Sequence, residues 1–147
     1  MKCPYCNSED TKVVDKRETE KHGVTRRRRE CLKCKKRFTT YERIEIDLMV
    51  LKKDNRREQF DREKLKRGIL RACEKRPISQ NIIEKTLEDI EASLRKLKTN
   101  EVGSSVIGEK VMKKLKSLDK IAYIRFASVY RDFQDLKDFE KEVRELR

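Results

Sequence analysis

The sequence predicts an α+β protein in two parts. A small ribbon of short antiparallel strands is held by four cysteines, and a mainly helical domain with an N-terminal β-hairpin follows. Three observations carry this. Cys3-Pro4-Tyr5-Cys6 and Cys31-Leu32-Lys33-Cys34 are two CxxC pairs with 24 residues between them. Apolar residues alternate up to Leu48 and recur at helical spacing beyond Asp61. Only 35% of the 147 residues are apolar while 46% are charged, too little for one large core.

The first segment, residues 1–48, contains β-type stretches at Thr11–Lys16, Thr25–Glu30 and Arg37–Tyr41, with a turn at His22-Gly23. Its apolar members are few: Val13, Val14, Val24, Phe38 and Tyr41. A core this small needs help. Two CxxC turns supply four thiolates, the full tetrahedral set that Zn²⁺ prefers. Cys3, Cys6, Cys31 and Cys34 are therefore the expected ligands of one zinc ion per chain, which should provide much of the ribbon's folding free energy. The competing use of such pairs is a redox dithiol. His22 is the only histidine. With the sphere filled by cysteines, it is expected to be an exposed bystander.

In the second segment, 49–139, Leu48–Leu51 reads as a strand. Asp54-Asn55 reads as a turn in which Asn tolerates φ > 0, and a second strand ends at Phe60. Asp61 is the expected N-cap of a helix with Leu65, Ile69, Leu70 and Cys73 on its apolar face, closed by Pro77. Cys73 reads as a plain core thiol. Ser79 caps the next helix, with Ile83, Leu87, Ile90, Leu94 and Leu97. A third covers 105–118, Asp119 caps a fourth over 121–133, and a charged tail, 140–147, follows.

The formal net charge is +13. From Lys16 to Arg43 there are 12 Lys and Arg against 4 acids. Such an excess implies a polyanionic partner: nucleic acid, nucleotide or anionic membrane. There is no apolar run of about 18 residues and no signal-peptide core, so a chain that is neither membrane-bound nor exported is expected. No Ser/His/Asp set and no Walker or GxGxxG motif is present, which leaves little enzymatic chemistry beyond a nucleotidase. Arg26–Arg29 lie on one strand. Alternation sends Arg26 and Arg28 to one face and Arg27 and Arg29 to the other. A charge run is often only a solvated face, and many ribbons bind protein alone.

The segment from Val50 through Lys52-Lys53-Asp54-Asn55 to Phe60-Asp61-Arg62-Glu63-Lys64-Leu65 resembles the start of an ATP-cone, the nucleotide-sensing domain of many ribonucleotide reductases. Ala72–Pro77 and Asp119–Tyr130 fit the same pattern, with Asn55 where cones generally have glycine. A four-cysteine ribbon fused to an ATP-cone resembles the bacterial NrdR repressors of ribonucleotide reductase genes, and Arg26–Glu30 and Arg37-Phe38-Thr39-Thr40-Tyr41-Glu42 strengthen the likeness.

The resemblance implies a non-enzymatic repressor of the bacterial cytoplasm, nucleoid-associated when bound to double-stranded operator DNA. Its oligomeric state would respond to ATP and dATP, bound with Mg²⁺. The candidate DNA contacts are Arg17, Arg26, Arg27, Arg28, Arg29, Lys36, Arg37, Thr40 and Tyr41. By resemblance, Val50, Lys52, Lys53, Glu58 and Lys64, with Arg67 and Tyr130, are the nucleotide ligands. From the residues alone, Lys52, Lys53 and Lys64 read equally as surface lysines. The alternative function is a protein-interaction adaptor whose ribbon docks on another protein under nucleotide control.

Overall fold

The structure, a computed structural model, describes residues 1–19 and 23–146. His22 lies outside the described residues. The chain divides into two compact units, Met1–Glu45 and Ile46–Arg147. The boundary drawn from the sequence lay at 48/49.

In the first unit, β1 (Thr11–Thr19), β2 (Val24–Cys31) and β3 (Arg37–Glu42) form an antiparallel sheet in the order β1-β2-β3. All three strands were expected. Among the described residues no second layer covers the sheet, and the apolar core is as small as the sequence leads one to expect. Val24 is buried, but Val13, Val14 and Tyr41 are 44%, 42% and 51% exposed. The fully buried side chains are those of Cys3 and Cys31, and the interior of this unit is its cysteine cluster. A bulge at Val14 shifts the β1–β2 register between Val13 and Asp15, which puts both Val13 and Asp15 opposite adjacent β2 residues.

In the second unit, β4 (Met49–Leu51) pairs antiparallel with β5 (Arg57–Gln59). Asn55 occupies the left-handed turn position at φ 64°. The helix α1 (Arg62–Ala72) is capped by Asp61, whose carboxylate accepts from the Lys64 N–H. It ends before Pro77. Cys73 caps it, and the Arg125 guanidinium donates to the Glu74 carbonyl at 2.6 Å, satisfying the terminus with a side chain from α4. Ser79 caps α2 (Gln80–Arg95), and Asp119 caps α4 (Lys120–Tyr130). Between them lies α3 (Ser104–Leu118), and α5 (Leu136–Arg144) is last. The expected tail at 140–147 thus includes half of α5.

One strand went unread. β6 (Glu101–Gly103) pairs parallel with β4, giving a mixed sheet of order β5-β4-β6. Leu48, Ile69, Leu87, Ile90, Leu94, Val111, Met112 and Leu115 are at most 2% exposed and form the core of this unit. Each such side chain contributes about 1.5–3 kcal/mol on burial. The helices therefore hold the β4–β5 hairpin and its cations in place without metal.

Candidate metal centre, basic ribbon faces and nucleotide cleft

Two matching turns build the metal centre. After each CxxC the chain enters a left-handed residue, Asn7 at φ 56° and Lys35 at φ 60°. The backbone N–H of each donates to the carbonyl of the first cysteine of its pair, Cys3 and Cys31, at 2.9 and 3.0 Å. This curls both thiols of a turn inward. The Sγ atoms of Cys3 and Cys34 are 3.6 Å apart, as are those of Cys6 and Cys31, and all four lie within 4.8 Å of one another. A tetrahedron with Zn–S bonds near 2.3 Å has edges of about 3.8 Å, so the donor set fits zinc.

The electrostatics of the metal-free thiols differ from one to the next. The Cys34 N–H aimed at its sulfur holds the Cys31 thiol down to about 6. Against the pull of the Lys36 N–H, burial and the neighbouring thiols push Cys34 up to about 11. A divalent cation at the centre would reward ionisation of all four.

The register assigns the basic residues to faces, because cross-strand partners share a face. Arg26 pairs with Arg17 and Tyr41, Arg28 with Asp15 and Thr39, and Glu30 with Lys12 and Arg37. These define one face. The other carries Arg27, opposite Lys16 and Thr40, and Arg29, opposite Val13 and Phe38. The candidate DNA contacts are therefore not brought together on one surface. Arg27 is engaged with Glu42, and Arg29 Nε donates to the Thr40 hydroxyl at 3.3 Å. Lys36 lies at the second knuckle with its ammonium 4.9 Å from the centroid of the Tyr5 ring. The exposed Tyr41 ring stacks with Arg43 at 4.6 Å.

The second unit has a cleft of about 520 Å³ between the hairpin, α1, α3 and α4, lined by Val50, Lys52, Lys53, Glu58, Lys64 and Tyr130. Six of the seven candidate nucleotide residues thus converge. Arg67 does not line it. On a helix, Lys64, Leu65 and Gly68 share a face, and Arg67 is turned away from it. Glu58 sits between two cations, 3.0 Å from Lys64 Nζ and 3.4 Å from Lys52 Nζ. Lys64, with Lys52 behind it, holds the Glu58 carboxyl below the usual carboxylate range.

The cleft also contains residues that sequence reasoning missed. Arg56 adds a cation from the hairpin. Ser104 brings the N-terminus of α3, which no side chain caps, and its free N–H groups can meet an anion. At α1, by contrast, Asp61 already takes one such N–H, which weakens that terminus as an anion site. Ile107, Val111 and Phe126 give apolar wall for a base. Gly108 accommodates the Tyr130 ring so closely that a Cβ there would lie 2.0 Å from it. The Tyr130 hydroxyl donates to the Ser105 carbonyl at 2.9 Å. A glycine in the interior of a helix, Gly108, was the available signal for that contact.

A ribbon with a four-thiol metal cluster, followed in the same chain by a domain with a cation-lined cleft, defines a zinc-ribbon regulator with a nucleotide-sensing module. Two family models match the two parts of the chain in turn. The family model described as the N-terminal domain of transcriptional repressor NrdR-like proteins matches residues 1–42, and that of the ATP cone domain matches 48–136. The chain is 54% identical to the transcriptional repressor NrdR of Finegoldia magna, over 99% of this chain and 98% of that one. It is 56% identical to that of Acetivibrio thermocellus, over 99% and 97%, and 54% identical to that of Petrotoga mobilis, over 100% and 99%. The chain belongs to the NrdR family of transcriptional repressors, a family of regulators rather than enzymes. No helix among the described residues is long and apolar enough to cross a membrane.

Proposed function

We propose that the chain is a zinc- and nucleotide-dependent repressor that binds operator DNA upstream of ribonucleotide reductase genes in the bacterial cytoplasm. One Zn²⁺ per chain, on Cys3, Cys6, Cys31 and Cys34, fixes the ribbon. ATP or dATP with Mg²⁺ occupies the cleft, with the triphosphate on Lys52, Lys53, Lys64 and Arg56, the uncapped α3 terminus nearby, and the base against Val50 and the Phe126 wall. Glu58, freed from its lysines when phosphate takes them, accepts a sugar hydroxyl or base amine. One ribbon covers little DNA, so useful affinity requires several ribbons on one operator, spaced by a homo-oligomer. ATP and dATP differ by one hydroxyl, so switching works through unequal stabilisation of two assemblies.

The observation that carries this reading is the convergence of four cations, Lys52, Lys53, Arg56 and Lys64, with three carboxylates, Asp54, Glu58 and Asp61, on a single cleft, in a chain that also bears a four-thiol basic sheet. Calorimetry with light scattering on the zinc-loaded protein tests it. Micromolar binding of both nucleotides, with a different assembly mass for each, is expected. Equal masses would remove the switch, and no binding would remove the sensor.

A second reading has an observation of its own. Tyr5, Val13, Val14 and Leu32 are exposed on the ribbon, which favours docking on a protein. An adaptor would show no salt-dependent affinity for duplex DNA.

A further inference from the structure

We infer that one face of the ribbon sheet reads the DNA: the face bearing Arg17, Arg26, Arg28 and Tyr41, and not the face bearing Arg27 and Arg29. The inference rests on the DNA-binding role proposed above and goes beyond it by choosing a surface.

The two faces differ in how their charges are matched. On the Arg27 face three cations, Lys16, Arg27 and Arg29, stand against two acids, Glu18 and Glu42. Arg27 is held by Glu42 and Lys16 by Glu18, while Arg29 donates to Thr40. Little field is left to attract a polyanion. On the Arg28 face each carboxylate is shared. Asp15 lies 3.3 Å from Arg17 and 3.8 Å from Arg26. Glu30 lies 2.8 Å from Arg37 and 3.4 Å from Lys12. Each shared acid cancels one charge and leaves one, while spreading two long side chains at set positions. Arg28 stands between these clusters, opposite Asp15 and Thr39, and has no ion-pair partner among the described residues within 4.0 Å. It is also the one exposed position in the burial pattern of β2.

The result is five cations against two acids on this face, Arg17, Arg26, Arg28, Lys12 and Arg37 against Asp15 and Glu30, with Thr39 and Tyr41 hydroxyls among them. A sheet face of this kind can lie on duplex DNA, meeting phosphates with the outer cations and base edges with the central arginine. Asp15 and Glu30 act as positioning residues, since they hold the guanidinium groups apart without neutralising the surface. The partner is duplex DNA, chosen over an acidic protein because the cations on this face recur at every second strand residue, about 6.8 Å apart, which matches a repeating phosphate backbone.

The test compares the R26A/R28A and R27A/R29A pairs in the zinc-loaded full chain. Each is titrated against a fluorescent mixed-sequence duplex at several salt concentrations, without nucleotide and with dATP, after zinc content has been verified. R26A/R28A should lower affinity at least about tenfold and reduce the salt slope by about two, one per lost phosphate-range charge. R27A/R29A should stay within about threefold. R28K separates charge from geometry: it should keep the slope yet lose preference for an operator duplex over the mixed one. Larger loss from R27A/R29A, or equal loss from both pairs, overturns the choice of face while leaving the DNA role intact. No binding by the zinc-loaded wild type in either condition overturns the DNA role itself, and this inference with it.

Discussion

Cys3 and Cys31 are completely buried whereas Cys6 and Cys34, their turn partners, are partly exposed. The buried pair closes the interior of the ribbon. Cys31→Ser should reduce bound zinc from one equivalent to nearly none and unfold the ribbon, while far-ultraviolet circular dichroism keeps the helical signal of the second unit. In the cleft, Lys64 bridges to Glu58 at 3.0 Å and faces the site. Lys64→Ala removes a charge-assisted contact worth about 1.5–3 kcal/mol, so nucleotide affinity should fall by roughly ten- to a hundredfold with zinc content unchanged. Unchanged affinity by calorimetry would move the phosphate site elsewhere. Gly108→Ala gains helix propensity of up to about 1 kcal/mol but drives a methyl into the Tyr130 ring. Overpacking of about 1–3 kcal/mol should win, and the displaced ring should narrow the cleft, lowering both melting temperature and nucleotide affinity.

The helices were legible at the level of single caps. Asp61, Ser79 and Asp119 each accept the N–H expected of an N-cap, at 3.0, 3.3 and 2.8 Å. Helix ends were less legible, because the stop of α1 is made by Cys73, a left-handed Lys75 and the distant Arg125, and not by Pro77. β6 escaped because Glu-Val-Gly carries no period of its own. Its strand character comes from pairing with β4, 52 residues away in sequence. The candidate site was half legible. The hairpin cations were visible in the sequence, but Ser104, Gly108 and Phe126 reach the cleft through the packing of α3 and α4.

The same packing fixes α5. Tyr123 donates to Glu142, which Arg131 also engages at 2.9 Å. Burial, then Glu142, pushes the Tyr123 hydroxyl up to about 12. Since folding favours its protonated form, this contribution is complete below pH 10 and lost as pH rises from 10 towards 12. Tyr123→Phe should flatten that alkaline transition. Glu142→Ala, which leaves the Tyr123 phenol without its buried acceptor while Arg131 keeps Glu109 at 3.7 Å, should cost about 1–3 kcal/mol in urea melts.

Across the whole molecule, two units use different sources of stability. The ribbon has three buried apolar positions, two of them cysteines, whereas the second unit has a continuous aliphatic core. Chelation should therefore produce a chain half unfolded: strand signal lost, helical melting retained within a few degrees, DNA affinity abolished and nucleotide affinity kept. A single cooperative loss of both units would mean that the ribbon's metal also supports the core. The net charge of +13 belongs to both units, so its local arrangement, and not its total, separates a DNA surface from a phosphate cleft.

In the proposed switch, nucleotide in the cleft controls the ribbon. The most direct measurement is binding of a fluorescent duplex from upstream of a ribonucleotide reductase gene, at fixed physiological salt, with dATP and then with ATP alone. Tight binding with dATP that is lost with ATP is the predicted result. Equal affinity in both nucleotides, with zinc and nucleotide each verified as bound, would contradict it.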